Sequence, residues 1–260
     1  MLFENMGITY LGPVDGHNIP ALCKVLKEAQ KLDHAVLVHV ITKKGKGYEP
    51  AEKNPAHFHG VSPFDIKTGK PLAEKKYPTY TDVFSKKLCQ LGETHPELVA
   101  VTAAMPDGTG VAAFGKKFPD RFFDVGIAEE HAVAMASGIA RNGGTPIFGV
   151  FSPFLQRTYD QLSSDLCLNN NPAVIMVFMA SVYGMNSNTH LGIYDIPMIS
   201  HIPNLVYLAP TSKEEYLAMF KYATTQKAHP IAIRIPMMMP ETGIEDTTDY
   251  SLLNKYQVVR

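Results

Sequence analysis

The chain has 260 residues, a formal net charge of −1 and an apolar content of 45%, values typical of a globular protein with one or two domains. A charge this close to zero gives no reason to expect nucleic acid or an anionic membrane surface as a partner. No apolar run reaches the roughly 18 residues of a membrane span, and no secretory signal is recognisable. Three widely spaced cysteines, Cys23, Cys89 and Cys167, fit no metal site, so we expect reduced thiols packed as small hydrophobes in a cytoplasmic protein.

The first 50 residues predict one strand–helix–strand unit. Residues 8–11 and 35–41 are apolar enough for strands, and Asn18 followed by Pro20 is typical of a helix start. Two strands and a helix rarely stand alone, so we expect residues 1–50 to be the C-terminal tail of a larger α/β domain. The next stretch is rich in proline and lysine without a sustained period, which predicts a surface linker over residues 51–78.

Beyond the linker, strand and helix patterns alternate. Strands are predicted at 98–103, 122–125, 146–150, 173–178, 205–208 and 231–235, and helices at 80–91, from 129, at 155–168 and at 214–225. Near-continuous apolar strands alternating with helices favour a parallel sheet covered on both faces. The fold class is therefore α/β, a doubly wound parallel sheet over residues 79–238, and the polar residues 239–260 are expected to lead into a further C-terminal domain.

The segment Gly126-Ile-Ala-Glu-Glu-His-Ala132 follows a predicted strand and places Glu129 in the first turn of a helix. The helix is built from small apolar residues and is predicted to be buried. A carboxylate there would face the crevice at the carboxyl end of a strand, where ligands bind in open α/β sheets. Taken alone, Glu129 could equally be an acidic residue that complements the helix dipole.

Other motifs accompany this segment in a fixed order. They are Gly12-Pro-Val-Asp-Gly-His17, Thr42-Lys-Lys-Gly-Lys-Gly-Tyr-Glu-Pro-Ala-Glu52, Lys117-Phe-Pro-Asp-Arg-Phe-Phe-Asp124, Phe151-Ser-Pro-Phe-Leu-Gln-Arg-Thr-Tyr-Asp-Gln161, Thr189-His-Leu-Gly192 and Ile233-Arg-Ile-Pro236. In this order and spacing the set resembles the 1-deoxy-D-xylulose-5-phosphate synthase family, thiamine-diphosphate enzymes of the transketolase superfamily, from residue 2 to about residue 236. The resemblance implies a thiamine-diphosphate-binding fold with the pyrimidine-binding domain in residues 79–238.

The resemblance also implies roles for individual residues. Glu129 would engage the aminopyrimidine ring of the coenzyme, Phe154 would stack on that ring, and Arg157 would help to hold the cofactor or be a surface ion-pair residue. The full set of implied cofactor-binding residues is Met105, Ile127, Glu129, Phe154 and Arg157. Glu130, offset by about 100° on the helix, is expected to be structural.

The implied substrates are pyruvate and glyceraldehyde 3-phosphate. His17 and His190, in glycine-containing loops, are the candidate acid–base residues together with catalytic Glu129. Arg234 would grip the phosphate, and Ser152 and Tyr159 complete the implied substrate-binding set.

Three positions depart from the family pattern around the acceptor aldehyde. Met179 stands where the family has a second phosphate-binding arginine, Asn186 where it has an aspartate, and Phe151 where it has a tyrosine. These changes predict altered use of the acceptor, or a paralogue that keeps the cofactor and changes the substrate.

The family holds Mg²⁺ through a Gly-Asp-Gly motif in its first domain, and this motif does not occur in the 260 residues. No metal ligands are therefore assigned here, and those for Mg²⁺ are expected outside this chain. The leading hypothesis is an incomplete synthase-like transferase, as a homodimer or with a partner chain that supplies the missing domains. A subunit of a split transketolase-like enzyme and a non-catalytic interaction protein remain as alternatives.

Overall fold

The structure is a computed structural model that describes residues 2–73, 77–182 and 187–252. The chain divides into two compact units, Met1–Lys76 and Tyr77–Arg260. The boundaries proposed from sequence at residues 50, 78 and 238 stay predictions.

The first unit contains a two-stranded parallel sheet. Its elements are α1 (Leu2–Asn5), β1 (Thr9–Asp15), α2 (Ile19–Ala29), β2 (Val36–Ile41) and α3 (Glu49–Lys53). Strand β1 pairs with β2 in parallel, with Thr9 opposite Val36. Helix α2 begins as expected, because the Asn18 side chain accepts a hydrogen bond from the Ala21 amide and Pro20 occupies the first turn.

Residues 2–50 bury little apolar surface within this unit. None of them is fully buried, and Leu2, Met6 and Ile19 are 71%, 65% and 60% exposed. The described residues of this segment therefore form no buried core of their own.

The stretch predicted as a linker is folded in part. It contains the last three residues of α3, and the rings of Phe58 and Phe64 contact each other and the ring of the preceding Tyr48 at 5.2–5.9 Å. The sequence did not indicate this because the aromatic residues follow no helical or strand period.

The second unit is a six-stranded sheet with helices between its strands. The strands are β3 (Leu98–Thr102), β4 (Phe122–Asp124), β5 (Thr145–Phe151), β6 (Val174–Phe178), β7 (Val206–Leu208) and β8 (Ile231–Arg234). The α-helices are α4 (Tyr80–Thr94), α5 (Ala112–Lys117), α6 (Glu129–Arg141), α7 (Ser152–Leu155), α8 (Asp195–Ile199) and α9 (Lys213–Thr225). Three single turns of 3₁₀-helix lie at Pro119–Arg121, Gln156–Thr158 and Asn188–His190, and a π-helix spans Gln161–Cys167.

The sheet has the order β4-β3-β5-β6-β8-β7, and every pair of neighbours is parallel. Alternate residues of the central strands point into two apolar clusters, one on each face. Val101, Phe148 and Ile175 belong to the cluster that includes α6, whereas Ala100 and Ile147 belong to the cluster that includes α4 and α9. The predicted doubly wound fold is confirmed, and it brings the carboxyl ends of the strands to one edge.

Two helix predictions need correction. The segment predicted as a helix over 155–168 starts at Ser152 and passes through α, 3₁₀ and π geometry, a change that apolar spacing does not reveal. Helix α6 is buried along one face only, since Glu130, His131 and Ala134 are exposed. Small apolar residues are compatible with either a buried or an exposed face, so composition alone predicted too much burial.

The cysteine prediction is correct for one thiol and wrong for another. Cys167 is buried, and burial raises the pKa of its thiol to about 12. Cys89 is partly buried, but Cys23 is exposed and does not pack as a hydrophobe.

Candidate functional site

The residues singled out in the second unit gather at the carboxyl edge of the sheet. Two non-glycine residues with positive φ also lie there: Ala104 (φ 58°) just after β3 and Met179 (φ 53°) just after β6. Left-handed backbone at such residues is unfavourable and concentrates at functional sites. The edge is therefore the candidate active site.

The turn before α6 fixes the position of Glu129. One carboxylate oxygen of Asp124, at the end of β4, accepts hydrogen bonds from the Ala104 amide (2.8 Å) and the Gly126 amide (3.0 Å). Gly126 has φ +75°, a conformation that suits glycine. The chain then enters α6 with Glu129 only 2% exposed, although it is the first helical residue.

The Glu129 carboxylate forms an ion pair with Arg157. Its Nη1 atom donates to both carboxylate oxygens, at 3.1 and 3.0 Å. The guanidinium carbon also lies 5.5 Å from the centre of the Phe154 ring. Sequence analysis left Arg157 as a cofactor residue or an ion-pair residue, and the ion pair is present.

Phe154 lies at the centre of an aromatic cluster. The Phe151 ring stacks on it at a centroid distance of 6.1 Å, and the His190 ring meets it edge-on at 5.4 Å. Nδ1 of His190 is within 2.9 Å of the Thr189 hydroxyl and 3.2 Å of the Ser187 hydroxyl. The structure therefore brings together Glu129, Arg157, Phe154 and His190, all of which the sequence had identified.

Two buried hydroxyls lie at the ends of neighbouring strands. Thr102, the last residue of β3, and Ser152, directly after β5, have side-chain oxygens with no hydrogen-bond partner among the described residues. Buried polar atoms are normally paired, so these two hydroxyls are exceptions at this edge. Ser152 was a predicted substrate residue, whereas Thr102 was missed because it ends an ordinary apolar strand.

Arg234 ends β8 within a separate polar cluster. Its Nε atom donates to Asp195 Oδ2 at 2.7 Å, and its Nη2 atom donates to the Gly192 carbonyl at 3.0 Å. The Tyr207 hydroxyl donates to the same Asp195 oxygen at 2.7 Å, and burial together with this carboxylate raises the pKa of Tyr207. Asp195 is fully buried, and its Oδ1 atom has no partner among the described residues.

Sequence analysis missed Asp195 and Tyr207. Asp195 is one acidic residue in an irregular stretch, and Tyr207 lies in a short strand, so neither carried a motif of its own. The only available signal was that Asp195 lies three residues beyond the Thr189-His-Leu-Gly192 motif.

The remaining predicted residues are placed as follows. Met105 is partly buried against the core cluster that includes α6, and Ile127 is 80% exposed. Tyr159 is 43% exposed, and its ring lies 5.9 Å from that of His201. Asn186 lies outside the described residues.

His17 belongs to the first unit. Its Nε2 atom accepts a hydrogen bond from the Lys43 amide at 2.7 Å, and its own amide donates to Asp15 at 2.9 Å. An acceptor role at Nε2 places the proton of the neutral ring on Nδ1.

Residues 2–73, 77–182 and 187–252 contain no group of three or more histidine, cysteine or acidic side chains arranged to hold a metal ion. Over the same ranges, no helix combines the length and hydropathy needed to cross a bilayer.

Comparison with known proteins identifies the families that this chain resembles. The transketolase pyrimidine-binding domain family matches residues 76–240, and the 1-deoxy-D-xylulose-5-phosphate synthase family matches residues 1–42. The 1-deoxy-D-xylulose-5-phosphate synthase of Lachnoclostridium phytofermentans is 49% identical over 259 residues, which cover 100% of this chain and 41% of that protein. The enzyme of the same name from Natranaerobius thermophilus is 48% identical, with 91% of this chain and 37% of that protein covered.

A solved structure of a split-gene transketolase, an inactive beta4 tetramer, is similar in fold. Its TM-score is 0.55 at 25% sequence identity, and the match covers 65% of this chain and 56% of that chain. The chain thus spans about two fifths of the length of the curated relatives it matches. These matches confirm the resemblance drawn from the motifs, and the chain belongs to the transketolase pyrimidine-binding domain family.

Proposed function

We propose that this chain supplies the pyrimidine-binding half of a thiamine-diphosphate-dependent transferase of the 1-deoxy-D-xylulose-5-phosphate synthase type. The reaction implied by the resemblance is the decarboxylating condensation of pyruvate with glyceraldehyde 3-phosphate. The observation that carries the proposal is the buried carboxylate of Glu129 at the carboxyl edge of the sheet, which is paired with Arg157, whose guanidinium in turn lies 5.5 Å from the centre of the Phe154 ring.

The residues at this edge fit an aminopyrimidine ring. Phe154 presents an aromatic surface for stacking. When bound, thiamine diphosphate supplies an acidic thiazolium carbon that becomes a nucleophile and electron sink.

Glu129 is the residue assigned to activation. Its carboxyl group would share a proton with the pyrimidine ring nitrogen opposite the amino group, which favours the imino form of the coenzyme. Arg157 holds the carboxylate in place through the contacts at 3.0 and 3.1 Å. His190, whose ring meets that of Phe154 edge-on, is assigned the transfer of protons to a substrate oxygen.

Other parts of the proposal rest on the resemblance alone. His17 is the second candidate acid–base residue, Arg234 the residue that contacts the acceptor, and Met105, Ile127, Ser152 and Tyr159 are lining residues. Mg²⁺ and the diphosphate would be held by a segment outside these 260 residues, in a homodimeric or two-chain cytoplasmic enzyme.

The test is Glu129→Gln in the enzyme assembled with its diphosphate-binding half. We expect loss of thiazolium hydrogen–deuterium exchange, because an amide cannot share the proton. Glu130→Gln is the matched control, since Glu130 is adjacent but exposed, and its exchange rate should equal that of the parent. Equal exchange in the Glu129 variant and the parent would show that Glu129 is only a residue of the first helical turn.

The similarity to a split-gene transketolase supports a second arrangement, in which a separate chain carries the diphosphate half. Sequencing the DNA on both sides of the reading frame separates the two. An in-frame upstream segment with Gly-Asp-Gly would assign both halves to one polypeptide, and a separate reading frame with this motif would assign them to two.

A further inference from the structure

Arg234, the last residue of β8, has one edge of its guanidinium group held by the protein. Nε donates to Asp195 Oδ2 at 2.7 Å, and Nη2 donates to the Gly192 carbonyl at 3.0 Å. Nε and Nη2 form one edge of the planar guanidinium fork, and Nη1 with the second hydrogen of Nη2 forms another. This second edge has no hydrogen-bond partner among the described residues. Arg234 is therefore fixed along one edge and keeps a pair of parallel donors along the other.

The Asp195 carboxylate is itself held by Tyr207. The tyrosine hydroxyl donates to the same oxygen, Oδ2, at 2.7 Å. Tyr207 lies in β7 opposite Ala232 of β8, two residues before Arg234, so both side chains point to the same face of the sheet. Asp195 is fully buried at the start of α8. Backbone pairing of β7 with β8 thus sets the position of the tyrosine that fixes the carboxylate.

The Gly192 carbonyl is fixed by close packing of its loop. The Gly192 amide donates to the Ser181 carbonyl at 3.0 Å, and a Cβ at Gly192 would lie 2.5 Å from the Ala180 Cα atom. The Ala180 amide in turn donates to the carbonyl of Ile235, the residue after Arg234, at 3.0 Å. Both acceptors of the held edge therefore belong to rigid parts of the second unit.

Stability alone does not explain this cluster. Oδ1 of the buried Asp195 has no partner in the described part of the chain, and buried polar atoms are normally paired. A buried ion pair is weak evidence for stability, because desolvation of the two charges offsets their attraction. What the cluster provides is a fixed direction for the Arg234 guanidinium. A donor that is already oriented loses less conformational freedom when it binds a ligand.

We infer that Asp195 and Tyr207 are positioning residues for the acceptor substrate. Neither acts on the acceptor directly. They hold Arg234 along one edge, so that its other pair of donors is preorganised to bind the acceptor in one orientation. The inference rests on the proposed function, in which Arg234 is the residue that contacts the acceptor.

The test is a double-mutant cycle in the enzyme assembled with its diphosphate-binding half. Tyr207→Phe removes one hydroxyl group, so KM for D-glyceraldehyde 3-phosphate should rise by about three- to tenfold, as expected for the loss of one hydrogen bond. In the Arg234→Gln background the same change should have no further effect on KM, because no guanidinium is left to hold. Thiazolium hydrogen–deuterium exchange, which needs no acceptor, should be equal in all four enzymes.

Tyr216→Phe is the matched control. Tyr216 is a fully buried tyrosine of the same unit whose hydroxyl has no hydrogen-bond partner among the described residues, so its removal should leave KM unchanged. Asp195→Asn should show the same dependence on Arg234 as Tyr207→Phe. Thermal melting establishes folding, and Tyr207→Phe decides the matter if the Asp195 variant does not fold.

Three results would overturn the inference. The first is a KM of Tyr207→Phe equal to that of the parent. The second is an equal rise in KM on Tyr207→Phe in both backgrounds, which would show a purely structural role of the hydroxyl. The third is an unchanged KM in Arg234→Gln, which would show that Arg234 does not contact the acceptor. Loss of thiazolium exchange in the parent would instead refute the proposed function.

Nuclear magnetic resonance of the 260-residue chain tests the held guanidinium without any turnover. The chain has five arginines, and the Nε–H signal of Arg234 is the one that Arg234→Gln removes. We expect this proton to exchange with water more slowly than that of the exposed Arg141. Tyr207→Phe should speed its exchange by about three- to tenfold. Exchange in the parent as fast as that of Arg141 would show that Arg234 is not fixed, and the inference would fail.

Discussion

The ion pair between Glu129 and Arg157 should contribute measurably to the stability of this chain. The Glu129 side chain is 3% exposed, whereas the Arg157 side chain is 47% exposed, and the two lie 3.0 Å apart. Removing Arg157 would leave a buried carboxylate without its cation, which is the costly way to break such a pair. We therefore expect Arg157→Met to lower the free energy of unfolding.

The size of the effect follows from the geometry. Two unit charges at 3.0 Å attract by about 5.5 kcal/mol at an effective dielectric constant of about 20 and by about 1.4 kcal/mol in water. Because half of the arginine is in water, the loss should lie near the lower part of this range, about 1.5–3 kcal/mol. Only Nη1 contacts the carboxylate, so the single ammonium of Arg157→Lys should keep much of the interaction.

Urea unfolding of the parent, Arg157→Met, Glu129→Gln and the double variant forms a double-mutant cycle. We expect a coupling energy of about 1–2 kcal/mol, and the double variant should be more stable than Arg157→Met alone because no unpaired charge stays buried. A coupling energy below about 0.5 kcal/mol, with a fully stable Arg157→Met, would refute the assignment of Arg157 as the partner of Glu129.

Four further outcomes are expected. Calorimetric titration of the chain alone with thiamine diphosphate and Mg²⁺ should show no tight binding, and the chain should not consume pyruvate. Submicromolar binding would contradict the inference that the residues holding the diphosphate lie outside these 260 residues. The exposed apolar residues of segment 2–41 should cause self-association, and a monomer at high concentration in light scattering would count against this. Gly192→Ala should lower the free energy of unfolding by about 2 kcal/mol or more, because a Cβ at this position would lie 2.5 Å from backbone atoms. Gly138→Ala is the control in the same urea assay. Its Cβ would meet nothing within 4 Å, so this change should be neutral or stabilising. A thiol reagent should modify the exposed Cys23 quickly and the buried Cys167 only on unfolding. Burial raises the pKa of the Cys167 thiol from 9.0 to about 12, so the stability that the protonated thiol contributes should be lost as the pH rises from about 9 to about 12.

The strands of the second unit and its longer helices were predictable because the strands are mostly apolar, whereas the short helices α5 and α8 were not predicted. A strand such as β6, buried at every position, reads as a continuous apolar run, and the intervening helices follow a period of 3.6. Predicted and observed strand ends agree within one residue. The π-helix at Gln161–Cys167 was not predictable, since apolar spacing is the same for a helix that locally widens its turn.

The candidate site was predictable residue by residue but not as a set of contacts. The motifs identified Glu129, Phe154, Arg157 and His190, yet Glu129 and Arg157 are 28 positions apart in sequence and meet only through the packing of two helical segments. Asp195 was missed for the related reason that its importance comes from a partner 39 residues away. Long-range pairing of charges is decided by the tertiary structure, and a single sequence does not encode it in any local pattern.

The two charge pairs at the edge differ in how easily they can open. Arg157 is 47% exposed and touches Glu129 through a single nitrogen, so water can solvate the guanidinium when the carboxylate takes another partner. Arg234 is 18% exposed, and its carboxylate is fully buried and held by a tyrosine as well. Opening either pair leaves a buried carboxylate that needs another partner, but only in the first pair can water readily solvate the released arginine. The Glu129 carboxylate can therefore exchange its partner more easily than the Asp195 carboxylate, whose pair with Arg234 is a fixed part of the fold.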